Sequence, residues 1–187
     1  MSVRFGVKGR DALALLQSCS IPVPTAANHI ARWQHSGSLG SGRCLRLGHS
    51  EFLLEQDDGS ALLEQVREAF RHFTGSAWLL PRADHCVQIT APHAPGWAAA
   101  CHWTTALARV CSFDFEQLRR DPDLVAMTLL ADISVTLTAD APATDAPAAP
   151  GGAFTLRLWC DPSYATYLND CLQTLFQHTS ELTGDQR

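Results

Sequence analysis

Arg43-Cys-Leu-Arg-Leu47, Gly48-His49-Ser50 and Glu51-Phe-Leu-Leu-Glu55 form the stretch on which the fold turns. Two short apolar runs meet across a tight connection, the pattern of a β-hairpin. Asp57-Asp58-Gly59-Ser60 ends it, and Ser60 is placed to cap a helix running through Phe70. On that helix Leu63, Val66 and Phe70 share one face, while Glu64, Arg67 and Glu68 face water. The local unit is β-β-α.

Downstream, Pro81 breaks the path before a strand over Asp84 to Thr90, with His85, Val87 and Ile89 on one side and Cys86, Gln88 and Thr90 on the other. A short helix is expected from about Ala94 to Trp103. Leu124 to Ala131 and Asp132 to Thr138 read as two more strands, and Ile133, Val135 and Leu137 give the second one a dry face. Residues 139–152 hold three prolines and no large side chain, the composition of an exposed low-complexity loop. Phe154, Leu156, Leu158 and Cys160 then alternate with Thr155, Arg157 and Trp159. Asp161-Pro162 opens a helix that places Tyr164, Tyr167, Leu168, Cys171, Leu172, Leu175 and Phe176 on one stripe.

Upstream of the hairpin the reading is an arm. Ala12, Leu13 and Leu16 suit a first helix, Pro22 and Pro24 enforce an extended path, and Gly37 to Gly42 is a turn signal. The expected organisation is therefore an arm over 1–42, a core over 43–178 interrupted by the 139–152 loop, and a frayed end over 179–187. The element order favours an α+β protein with helices on one face of mainly antiparallel sheets and a split β-α-β flavour.

The chain has 187 residues, 46% of them apolar, enough for one domain or two small lobes. Its formal charge of -5 gives no cationic field for nucleic acid. No apolar run approaches a membrane span, and the opening residues lack a signal peptide's apolar stretch. Seven cysteines, an odd number with no CxxC, are expected to be reduced and mostly buried, which points to the cytoplasm.

No motif carries a reaction. His29 with His35, His85 with Cys86, and Cys101 with His102 lack a third ligand at recognisable spacing, so no metal site is expected. Cys101 and His102 are neighbours on a helix and point about 100 degrees apart, so adjacency gives them no relay. Asp57-Asp58 fits a turn and helix cap. No glycine-rich turn follows a strand, as a dinucleotide site requires. The unusual feature is five tryptophans, Trp33, Trp78, Trp97, Trp103 and Trp159. Trp159 falls opposite its strand's apolar face, where it meets a subunit, a ligand or another segment of the chain. Trp159, Trp97 and Trp33 are the candidate interface residues.

Several segments in order resemble a known family. Phe5-Gly-Val-Lys-Gly9 with Asp11-Ala12, Ile21-Pro-Val-Pro24 with Asn28, and Leu45-Arg-Leu-Gly48 with Glu51-Phe-Leu-Leu54 resemble the opening of the gamma subunit of heterotetrameric sarcosine oxidase. Ile89-Thr-Ala-Pro92 with Ala94, Cys111-Ser-Phe-Asp114-Phe115, and Ser163-Tyr-Ala-x-Tyr-Leu168 are similar to its later segments, so the resemblance spans about residues 5–172. Ala91, Met127 and Pro162 depart from it, standing where the family tends to have Gly, Arg and Arg.

The resemblance implies the aminomethyltransferase and folate-binding fold of two ferredoxin-like lobes. It implies a non-catalytic subunit with no cofactor of its own, stabilising a large alpha subunit beside a flavin-bearing beta subunit and a small delta subunit. FAD, FMN, NAD and tetrahydrofolate would then belong to the partners. That complex demethylates sarcosine oxidatively to glycine, with peroxide as co-product, and passes the one-carbon unit to tetrahydrofolate. The alternatives are a stand-alone folate-binding protein of the same fold or an interaction domain of another amine oxidase. The K-G-C-[YF]-x-G-Q/E motif of the stand-alone proteins is absent.

Overall fold

Val3, Phe5 and Val7 alternate with Arg4, Gly6 and Lys8, and in the computed structural model this run is a strand, β1 (Val3–Lys8). The structure describes residues 2–34, 40–57, 59, 61–90, 104–140 and 155–184, except the side chains of 119 and 177–184. β1 pairs antiparallel on one side with β4 (Glu51–Gln56) and on the other with β5 (Trp78–Pro81). The opening segment is thus not an arm: it supplies β1, helix α1 (Ala12–Ser18) and strand β2 (His29–Trp33) to a folded unit. The chain divides into two compact units, Met1–Ala83 and Asp84–Arg187, which replaces the boundary expected near residue 42.

In the first unit the expected hairpin forms, with β3 (Gly42–Arg46) against β4. The sheet order is β2-β3-β4-β1-β5. Phe5, Val7, Cys44, Phe52 and Leu54 share the face on which α1 and α2 (Ala61–Arg71) pack. On α2 the buried positions are Leu62 and Val66, with Leu63 and Phe70 only partly covered. The stripe keeps Val66 but is deepest at Leu62 rather than Leu63, and the Leu62 amide donates to Gln56 Oε1 at 2.9 Å. Ser60, expected as the cap, and the first half of the Gly37 to Gly42 turn lie outside the described residues.

In the second unit, β6 (His85–Thr90), β9 (Thr155–Cys160), β8 (Ile133–Asp140) and β7 (Val125–Leu130) form an antiparallel sheet in that order. β7 and β8 are joined by Ala131 and Asp132, both at positive φ, the geometry of a two-residue hairpin turn. Ile133, Val135, Leu137, Leu156 and Leu158 build one core with Leu118 of helix α3 (Glu116–Arg120) and Leu168, Leu172 and Leu175 of helix α4 (Ala165–Gly184). Asp161 caps as expected: its carboxylate accepts from the Ser163 amide at 2.9 Å, opening the turn Pro162–Tyr164 that leads into α4.

Three expectations change here. Tyr164 and Tyr167 are more than half exposed and do not join the buried stripe of α4. Ala139 and Asp140 belong to β8 and pair with Leu156 and Thr155, so the Ala/Pro loop does not begin at 139. The rest of that loop, and the helix expected from Ala94 to Trp103, lie outside the described residues.

Candidate functional site

Cross-strand register lines up four charged residues on the sheet face opposite α1 and α2. Arg32 faces Arg43, Arg43 faces Glu55, and Glu55 faces Arg4. The Glu55 side chain is 0% exposed and accepts from Arg4 Nε at 3.1 Å and from Arg43 Nη1 at 3.3 Å. Arg43 Nη2 also donates to Asp57 Oδ1 at 3.1 Å. Leu45, Leu53 and Ile30 on the same face are buried too. The carboxylate is held by two guanidiniums, and the row clamps β1, β3 and β4 together. A shorter counterpart lies in the second sheet, where Arg157 donates to Asp140 at 2.8 Å.

The aromatic placements differ from expectation. Trp159 is on the face opposite the helix-covered core, as its alternation requires, but it is 2% exposed. Trp33 is also buried; its ring lies where a Cβ on Gly42 would sit, at 2.6 Å from that position. Both indole Nε1 atoms are buried with no hydrogen-bond partner among the described residues. The expectation that these two rings are displayed to a partner is corrected: each is already covered within its own chain. For Trp159 the physical reason is that the second sheet buries residues on both of its faces, so alternation along β9 separates two interiors rather than an inside from an outside; Trp33 instead packs in the helix-covered core of the first sheet with Phe5, Val7 and Cys44. Trp97 lies outside the described residues.

Among the described residues, the large apolar side chains that reach solvent are on edge strands and at a helix start. They are Trp78 and Leu80 on β5, Met127 and Leu129 on β7, and Tyr164 and Tyr167 at the start of α4. The sequence signal for Trp78 was Pro81 three residues on, at the end of the same short strand, since a proline in a strand favours a sheet edge.

Three buried thiols, Cys19, Cys44 and Cys160, are held away from reactivity. Burial pushes the Cys44 thiol up to about 12 and raises Cys19 as well. Burial likewise raises Cys160, and the charges of Asp161 and Asp84 add to the effect. Such groups stay protonated near neutral pH and pack as small apolar residues. Among the described residues, no group of three or more His, Cys, Asp or Glu side chains is placed to hold a metal ion. Nor is any described helix long and apolar enough to cross a membrane.

These observations define an α+β protein of two antiparallel sheets, each with its own core, in the aminomethyltransferase-like fold. In particular, the chain superposes on a chain of the heterotetrameric sarcosine oxidase from Corynebacterium sp. U-96, solved with pyrrole 2-carboxylate. The TM-score is 0.67 at 21% identity, over 96% of this chain and 81% of that one. It also superposes on the glycine cleavage system aminomethyltransferase T from Bartonella henselae, with TM-score 0.60 at 14% identity, over 91% of this chain and 43% of that one. At these identities the likeness establishes the fold, and it agrees with the resemblance read from the motifs. No family model and no curated protein matches the chain.

Proposed function

We propose that this chain is a small, non-catalytic, gamma-like subunit of a heterotetrameric sarcosine oxidase-like complex. Its work is to pack against and stabilise a large alpha-like subunit, while flavin, nicotinamide nucleotide and tetrahydrofolate belong to the partners. The observation that carries this reading is the balance of coverage. This chain spans 81% of the matched sarcosine oxidase chain, whereas it spans 43% of the aminomethyltransferase. The likeness runs through most of the sarcosine oxidase chain and under half of the aminomethyltransferase, and this favours the former as the guide to the role. The thiols raised by burial and the exposed edge-strand apolar residues support a packing role.

The test is co-expression of the tagged chain with the large subunit of the heterotetramer encoded by the same organism. Stoichiometric co-purification and a rise in the large subunit's thermal midpoint are expected, since a partner that binds only the native state stabilises it. A chain that purifies alone with bound flavin, or that binds tetrahydrofolate without any partner, would overturn the reading.

A further inference from the structure

Three exposed apolar patches are candidates for contact, and charge separates them. Residues 1–83 carry nine basic and seven acidic residues, whereas 84–187 carry five and twelve. Met127 and Leu129 are followed by Asp132, and Tyr164 and Tyr167 lie between Asp161 and Asp170. Trp78 and Leu80, at 56% and 37% exposure, instead lie among cations. Trp78 pairs across the strands with Lys8, whose side chain is about half exposed and whose ammonium lies beside Glu51. Arg10, 84% exposed beside Asp11, follows two residues later, and Arg82 passes within 3.7 Å of where a Gly6 Cβ would be.

Glycines make this edge smooth. Leu80 pairs with Gly6, and a Cβ there would touch Leu80 Cβ at 3.4 Å. The Trp78 ring lies against Gly9: a Cβ on Gly9 would come within 2.9 Å of its Cε3. The indole is thus seated against the Gly9 backbone while more than half of the residue stays exposed. A ring already held in place loses little conformational freedom on binding, which is what an interface anchor requires. Aromatic anchors ringed by charge are the usual centres of binding energy.

We infer that the Trp78–Leu80 edge of the first sheet is where the large partner subunit seats, meeting it with an apolar side chain set among carboxylates. This rests on the subunit reading above. The cations steer and register the partner, and the indole supplies the apolar contact.

The experiment uses the full chain co-expressed with the same large subunit and measures retention on the tagged chain over a range of salt. Trp78→Glu is expected to cut retention about tenfold or more. Arg10→Glu should weaken it less and flatten its salt dependence, and Met127→Glu should leave it unchanged. If Trp78→Glu also lowers the thermal midpoint of the free chain, Arg10→Glu decides, because that side chain is 84% exposed and touches its neighbour Asp11 at 3.4 Å. Wild-type retention with Trp78→Glu and Arg10→Glu retained equally well would overturn this surface and leave the subunit reading intact. Failure of the wild-type chain to bind would overturn both.

Discussion

Replacing Glu55 with alanine removes the one carboxylate that Arg4 and Arg43 share, at a position with no access to solvent. The guanidiniums cannot turn fully to water, since the Arg43 and Arg4 side chains are themselves 9% and 17% exposed. Breaking a buried pair by removing one partner costs about 3 to 5 kcal/mol, because the remaining charge stays buried without its counter-ion. Asp57 still holds Arg43, which places the expectation near the lower end of that range. For a chain of this length, about 3 kcal/mol corresponds to a fall in midpoint of roughly 6 to 12 °C. The assay is urea unfolding of the full chain followed by circular dichroism at neutral pH, with hydrogen exchange over residues 51–56 to place the loss in β4. Glu51→Ala is the control: its exposed pair with Lys8 should contribute less than about 1 kcal/mol. Simultaneous replacement of Arg4, Arg43 and Glu55 by Met, Leu and Met should recover much of the loss, since apolar packing often matches a buried ion pair. A Glu55→Ala cost no larger than that of Glu51→Ala would refute the reasoning.

Leu158→Ala and Trp159→Ala should both destabilise the isolated chain, by about 2 to 5 and about 3 to 5 kcal/mol, because the two side chains are buried on opposite faces of β9; an unchanged midpoint for Trp159→Ala would place the ring outside a core. Gly9→Ala should cost about 1 to 3 kcal/mol in thermal unfolding, since φ is +134° and the added Cβ would lie 2.8 Å from Ala77 Cα; a neutral substitution would mean this turn is not as drawn. The Ser163 hydroxyl and amide hold the Asp161 carboxyl below its ordinary value near 3.8. The folded form is the more acidic, so Asp161 stabilises the fold above that value and loses the contribution as pH falls through the lowered one. The midpoint gap between wild type and Asp161→Ala should therefore be full at neutral pH and narrow in strong acid; a gap that widens on acidification would contradict the assignment.

What the sequence determined by itself was local. The hairpin β3–β4, the alternation of Ile133, Val135 and Leu137 in β8, and the Asp161-Pro162 helix start are all specified by neighbours a few residues apart, and all stand in the structure. β1 was legible in the same way: Val3, Phe5 and Val7 alternate cleanly, and the reading of residues 1–42 as an arm passed over that signal. Other features have no local cause. β5 is four residues long and is a strand because β1, some seventy residues earlier, pairs with it. The Arg4–Glu55–Arg43 clamp exists only once three strands are in register, and the start of α2 is tied to β4 by Gln56, which accepts from the Leu62 amide. Trp159 marks the boundary most sharply. Strand periodicity places it opposite Leu158, but whether that side meets water or another layer depends on burial of the sheet's second face. Period-two alternation encodes which residues share a face, and only the tertiary structure decides what each face meets.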